Sequence, residues 1–171
     1  MIRTALLLLC IVLLKLPAVA QTSVIRAQRL IDGRSGQVLS PASIVVSGTY
    51  ITAVNPPSLP AGAPVVDLGN VTLMPGFIDT HVHLLLRDAA GYRAGIVGES
   101  ASEAVLRSAP NARKMLMAGF TSVRDVGQTQ LTIELLAVSL ARASDARWID
   151  APRIIAAGHA ITATGGHIDP E

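Results

Sequence analysis

Cysteine is almost missing from these 171 residues: Cys10 stands alone, inside the first twenty positions. Once that segment is removed, the chain can form neither a disulfide nor a thiolate metal site, so any metal must be held by histidine, carboxylate or a modified lysine. Lysine is scarce too, present only at Lys15 and Lys114. An excess of one charge is also lacking. The formal charge is +2, but two of the fourteen basic residues, Arg3 and Lys15, lie in the N-terminal segment, which leaves twelve basic residues against twelve acidic ones. No basic footprint remains to steer an anionic polymer, which argues against a nucleic-acid partner. Short repeats and low-complexity tracts beyond the N-terminal segment are absent as well. What is plentiful is apolar residues, half of the chain, enough for a domain of ordinary size with a real core.

The N-terminus reads "MIRTALLLLCIVLLKLPAVAQTS". A short basic start, an apolar run from Ala5 to Leu14, the helix-ending Pro17 and the small-x-small Ala18-Val19-Ala20 make the layout of a secretory signal peptide over residues 1–20. Retention as a membrane anchor is the alternative, and the unbroken run is about half the ~20 residues that a span requires. Lipid attachment at Cys10 is disfavoured by the large Leu9 before it. The expectation is therefore cleavage near Ala20, an exported periplasmic or secreted product, and no stable membrane anchor.

From Val24 to Val71, short runs rich in Val, Ile, Thr and Tyr ("VIRAQRLID", "ASIVVSGTYITAVN", "VVDLG") are separated by Gly, Pro, Asn and Asp, the pattern of a small β-sheet layer. After Met74 the rhythm changes. An apolar run over Gly76 to Leu85 leads to a helical stretch, a strand "FTSVRDV", a second helical stretch near Leu131 to Ala143, and a third strand "RIIAAGHAI". The first helix rests on Ala101, Ala104, Val105, Ala109, Ala112, Met115 and Leu116 recurring at three and four residues, with Gly119 as its stop. Pro110 should kink it or open a second segment, because proline lacks the interior amide. Strands alternating with helices imply parallel pairing, with active residues at the carboxyl ends of the strands.

At the end of the apolar run stands "LMPGFIDTHVHLLL". On a strand His81 and His83 point the same way, with Asp79 on their face, and imidazoles ~6 to 7 Å apart along a strand can converge on one cation. Two hydrogen-bonded residues at a strand end is the other reading. Asp79 is expected to orient the strand end or to support a ligand histidine. Arg124 and Asp125 end the second strand on opposite faces and read first as a structural ion pair or turn contact. His159 reads as packed or hydrogen-bonded, Trp148 as packing, and Gly165-Gly166 as a turn.

Taken together, "MPGFIDTHVHL" after a β layer, then "AGFTSVRDVG" and "GHAITATGGHID", resemble the metal-dependent amidohydrolase superfamily, within it the group of imidazolonepropionase-like enzymes and prolidase-like metallo-dipeptidases. The resemblance implies an α/β fold: a β-sandwich portion over residues 21–73, followed over 74–171 by the first three βα units of a (β/α)8 TIM barrel, which takes ~250 residues when complete. It implies that His81 and His83 bind a divalent metal, zinc being the expected ion, in a site of one or two ions. His167, in the loop after the third strand, is the implied substrate contact. The lysine, later histidines and aspartate that complete such sites have no counterparts here, so no catalytic residue is assigned. The implied activity is hydrolysis of C–N bonds in a small-molecule amide, cyclic amide, dipeptide or N-acyl amino acid by metal-activated water; a homo-oligomer is allowed, and the 171 residues alone are expected to be inactive. A truncated, non-catalytic product or a metal-binding module without turnover is the competing expectation.

Overall fold

The structure is a computed structural model, and it describes residues 21–86, 98–127 and 133–166. Residues 1–20, the expected signal peptide, and His167 lie outside the described residues. Within them the fold is mixed α/β, as expected. The chain divides into two compact units between Pro75 and Gly76.

The first unit is all β. Strand β1 (Thr22–Ala27) and β2 (Arg29–Ile31) are followed by β3 (Val38–Leu39), β4 (Ala42–Ser47), β5 (Tyr50–Val54), β6 (Val65–Asp67) and β7 (Thr72–Leu73). They form a four-stranded sheet in the order β5-β4-β1-β6 and a three-stranded sheet in the order β3-β2-β7. β1 and β4 pair antiparallel from Thr22 opposite Ser47 to Ala27 opposite Ala42. Leu30 of one sheet and Ala42 and Ile44 of the other meet in a single apolar cluster, with Ile25, Leu39, Val46 and Leu73 packed around it. That shared cluster joins the two sheets.

The second unit alternates: β8 (Phe77–Val82), α1 (Ala101–Met117), β9 (Phe120–Asp125), α2 (Leu136–Asp145) and β10 (Arg153–Ala156). Its sheet has the order β10-β9-β8, and both pairings are parallel. One face is buried under the helices. Leu84, Ala112, Val123, Leu140, Ala141 and Ile154 form one cluster there, and Leu85, Ala104, Leu136 and Ala137 a second, each fully buried large side chain stabilising by about 1.5–3 kcal/mol. On the opposite face Ile78 and Ile155 are exposed.

Helix α1 starts where a local signal sets it. Ser100 accepts from the Glu103 amide, and the Glu103 carboxylate takes the Ser100 amide in return, a reciprocal cap that satisfies two orphan donors. Of the two outcomes expected at Pro110, a second segment does not form: the helix runs through it to Met117. The proline sits on the exposed side, and the carbonyl it leaves without an amide belongs to Leu106, itself 73% exposed, where water can replace the missing bond. α2 begins at Leu136, later than the apolar spacing near Leu131 suggests: its N-cap is Leu135, whose side chain makes no capping bond, and the β-branched Ile133 just before it disfavours helix. β10 stops at Ala156 because Gly158 turns to a φ of +88°.

Candidate metal centre

The site lies at the carboxyl ends of β8 and β9. His81 is on β8 and exposed, while His83, two residues on and just past the strand, is half-buried. Their rings stand edge to face with centroids 5.4 Å apart. Two imidazoles sharing a tetrahedral ion at about 2.0–2.1 Å through one nitrogen each would hold their centroids roughly 5 Å apart, so the spacing of the pair suits two donors to a common cation. Among the described residues no group of three or more His, Cys, Asp or Glu converges as a metal site.

Which nitrogen of His83 is free follows from its partner. Nδ1 lies 2.8 Å from the carbonyl oxygen of Gly127; a carbonyl only accepts, so Nδ1 carries the hydrogen, which in the neutral ring leaves the lone pair on Nε2. This is the support that metal-bound histidines ordinarily receive. Gly127 is required for it. Its φ is +133°, and a Cβ there would stand 2.8 Å from the backbone of Ala160, so a side chain is excluded both by conformation and by space.

Beneath the pair lies Asp125, completely buried. Its Oδ2 accepts the Leu84 amide at 2.8 Å and its Oδ1 the Gly127 amide at 3.2 Å. The carboxylate thus ties together the two segments that carry His83 and the carbonyl holding it. Burial pushes its pKa up, against the opposing effect of the two amides and the nearby His83. Sequence reasoning put a turn contact or an ion pair first for Asp125, ahead of a place in the site; its bond to Gly127 is that local turn contact, while its bond to Leu84 spans 41 residues. Arg124 does not pair with it and instead donates from Nε to the Thr80 carbonyl at 2.8 Å.

Asp79 departs from its expected place. Between the Asp79–Val123 and Val82–Asp125 pairings β8 carries one residue more than β9, which interrupts the simple alternation linking Asp79 to the two histidines. Its carboxylate accepts the His81 amide at 3.0 Å and so shapes the strand end. His159 is exposed beyond β10 rather than packed. Trp148 is 81% exposed, not core: it follows Arg147, whose positive φ of 57° turns the chain after α2.

The model of the amidohydrolase family matches residues 72–170, a span that includes both histidines. An allantoinase of Streptomyces avermitilis is 43% identical over 63 residues, which are 36% of this chain and 14% of that protein. An imidazolonepropionase of an Arthrobacter species is 34% identical over 79 residues, 44% of this chain and 20% of the relative. Among solved structures, a Xaa-Pro dipeptidase with methionine bound in its active site superposes with a TM-score of 0.73 at 34% identity, covering 87% of this chain and 36% of that one. The chain therefore spans about a third of that enzyme's length and less of the two curated relatives.

Proposed function

The chain belongs to the amidohydrolase family, and from that premise we propose that it contributes part of an exported, metal-dependent hydrolase of C–N bonds, with dipeptides and N-acyl amino acids as the favoured substrate class. In this reading residues 21–73 are part of a β-sandwich, residues 74–171 supply the first three strands of a (β/α)8 barrel, and the exposed sheet face bearing Ile78 and Ile155 lines the barrel interior. His81 and His83 hold a divalent ion, zinc in the first instance.

The observation that carries the proposal is the edge-to-face His81–His83 pair, with His83 Nδ1 engaged by the Gly127 carbonyl. When bound, a divalent ion supplies Lewis acidity, lowering the pKa of water toward about 7 and polarising the carbonyl under attack. The chain's own residues prepare for that ion. The Gly127 carbonyl fixes the His83 tautomer, and Asp125 fixes the turn that follows His83. His167, which follows β10 in the chain, serves as a contact to the substrate carbonyl.

Metal analysis joined to a hydrolysis panel of Xaa-Pro dipeptides, other dipeptides and N-acyl amino acids, run before and after chelation, tests the function. In the active enzyme to which the chain contributes, metal-dependent turnover of at least one class is expected; turnover that survives complete chelation contradicts it. Export is tested by N-terminal sequencing of the product, which should begin at Gln21. Intact Met1 in the membrane fraction contradicts that part.

A further inference from the structure

The turn after His83 is held from the side by helix α1. Arg107 and Asn111, four residues apart and therefore on one face of the helix, reach its carbonyls in succession. Asn111 Nδ2 donates to the Leu84 carbonyl at 3.1 Å, and Arg107 Nη2 and Nη1 donate to those of Leu85 and Leu86 at 2.9 and 3.4 Å. Behind the arginine, Glu99 takes Nε and Nη2 at 2.7 and 2.9 Å in a two-bond fork, and its side chain is only 7% exposed. A fork of this kind holds a guanidinium in one orientation and not merely nearby. With Asp125 on the Leu84 amide and the His83 carbonyl accepting from the Leu86 amide at 3.2 Å, the polar backbone from His83 to Leu86 is held at five points. Irregular backbone beside a buried cluster needs partners of some kind. Here they are concentrated on the turn that follows a candidate ligand.

We propose that Arg107 and Asn111, with Glu99 holding the arginine, are positioning residues for the His81–His83 pair: they immobilise the Leu84–Leu86 turn, so that the His83 ring keeps Nδ1 on the Gly127 carbonyl and presents Nε2 to the ion. The inference rests on the reading that the pair holds a divalent cation. It assigns α1 a role at the site beyond that of a core helix.

The test uses the full chain and the variants Arg107→Met, Arg107→Lys, Asn111→Leu and Glu99→Gln. Long-range imidazole ¹⁵N spectra of the metal-free chain at fixed pH report the His83 tautomer, zinc titration followed on the His81 and His83 signals reports affinity, and thermal melting reports folding. The wild type should show His83 as the single Nδ1–H form. Arg107→Met and Asn111→Leu should mix the tautomers and weaken zinc binding by about ten- to a hundredfold, the usual effect of losing support behind a ligand, and Arg107→Lys should recover part of the loss. An unchanged His83 tautomer and unchanged zinc affinity in both variants would overturn the proposal. Should Arg107→Met fail to fold, Asn111→Leu and Glu99→Gln decide by the same measurements. A wild type that takes up no zinc would sink the metal reading alone, and the tautomer spectra would still decide the positioning claim.

Discussion

The two units of the chain bury different things. Every buried side chain of the first unit among the described residues is apolar: Val24, Ala27, Leu30, Ala42, Ile44 and Val45. The second unit adds Ser108 and Asp125 to its buried set, and the carboxylate is under the histidine pair. Its burial raises its pKa, so the second unit tolerates a cost that the first avoids. A buried acceptor of this kind is retained where it fixes backbone that a function needs, which is where departures from an all-apolar core are expected. Polar side chains of the first unit work at the surface instead. Asp32, for example, takes the Ser35 hydroxyl at 2.6 Å and the amides of Arg34 and Ser35 in an exposed turn.

The largest expected effect falls on the second unit. In the active enzyme, His81→Ala or His83→Ala should remove bound metal and reduce hydrolysis to background, because each deletes a donor, while the melting of the first unit stays unchanged. Retained turnover in either variant would erase the functional distinction between the units. Next comes His167→Ala, for which kcat/KM should fall by ~10² with metal content unchanged, the loss expected for one polarising contact. Full activity there would remove the substrate contact proposed for His167.

Asp125→Ala leaves the buried Leu84 amide without its acceptor and should destabilise the second unit by about 1–3 kcal/mol. Calorimetry that finds less than ~0.5 kcal/mol would mean that water takes the aspartate's place. The raised pKa also sets a direction with pH. Because the folded state holds the Asp125 proton more tightly than the unfolded state does, stability from this group is fully present below the ordinary aspartate range and is lost as pH rises through the elevated folded value. Asp125→Asn should remove that slope. The smallest effect belongs to the first unit. The Asp32 pKa is lowered, first by the Ser35 hydroxyl and then by the Arg34 amide, so its contribution is present above the ordinary aspartate range and fades as pH falls through the lowered value. Asp32→Ala should trim only the acid side of the stability profile; a loss as large as that of Asp125→Ala would end the contrast between the two units.

What could be read from the sequence was mostly local. Period-two spacing marked the strands and put His81 and His83 on one side, and three-four spacing located α1. The support of the site was not legible, because it joins residues far apart in the chain. His83 finds Gly127 across 44 positions, and Leu84 finds Asp125 across 41. "DVG" after a strand was the available hint, an acid followed closely by a glycine able to adopt a positive φ. The extra residue of β8 at Asp79–Val82 also defeats alternation, since a bulge reverses the face on which later side chains stand. Trp148 misled for a simpler reason: a large ring was assigned to packing, whereas it stands exposed in the turn beyond α2.

The central claim is that one divalent ion is held jointly by His81 and His83. Cobalt substitution followed by absorption spectroscopy of the active enzyme tests it most directly, because nitrogen donors shift the visible bands of the ion. The account predicts a protein-bound cobalt spectrum that changes in both His81→Ala and His83→Ala with loss of bound metal. A spectrum and stoichiometry identical to wild type in either variant would contradict it.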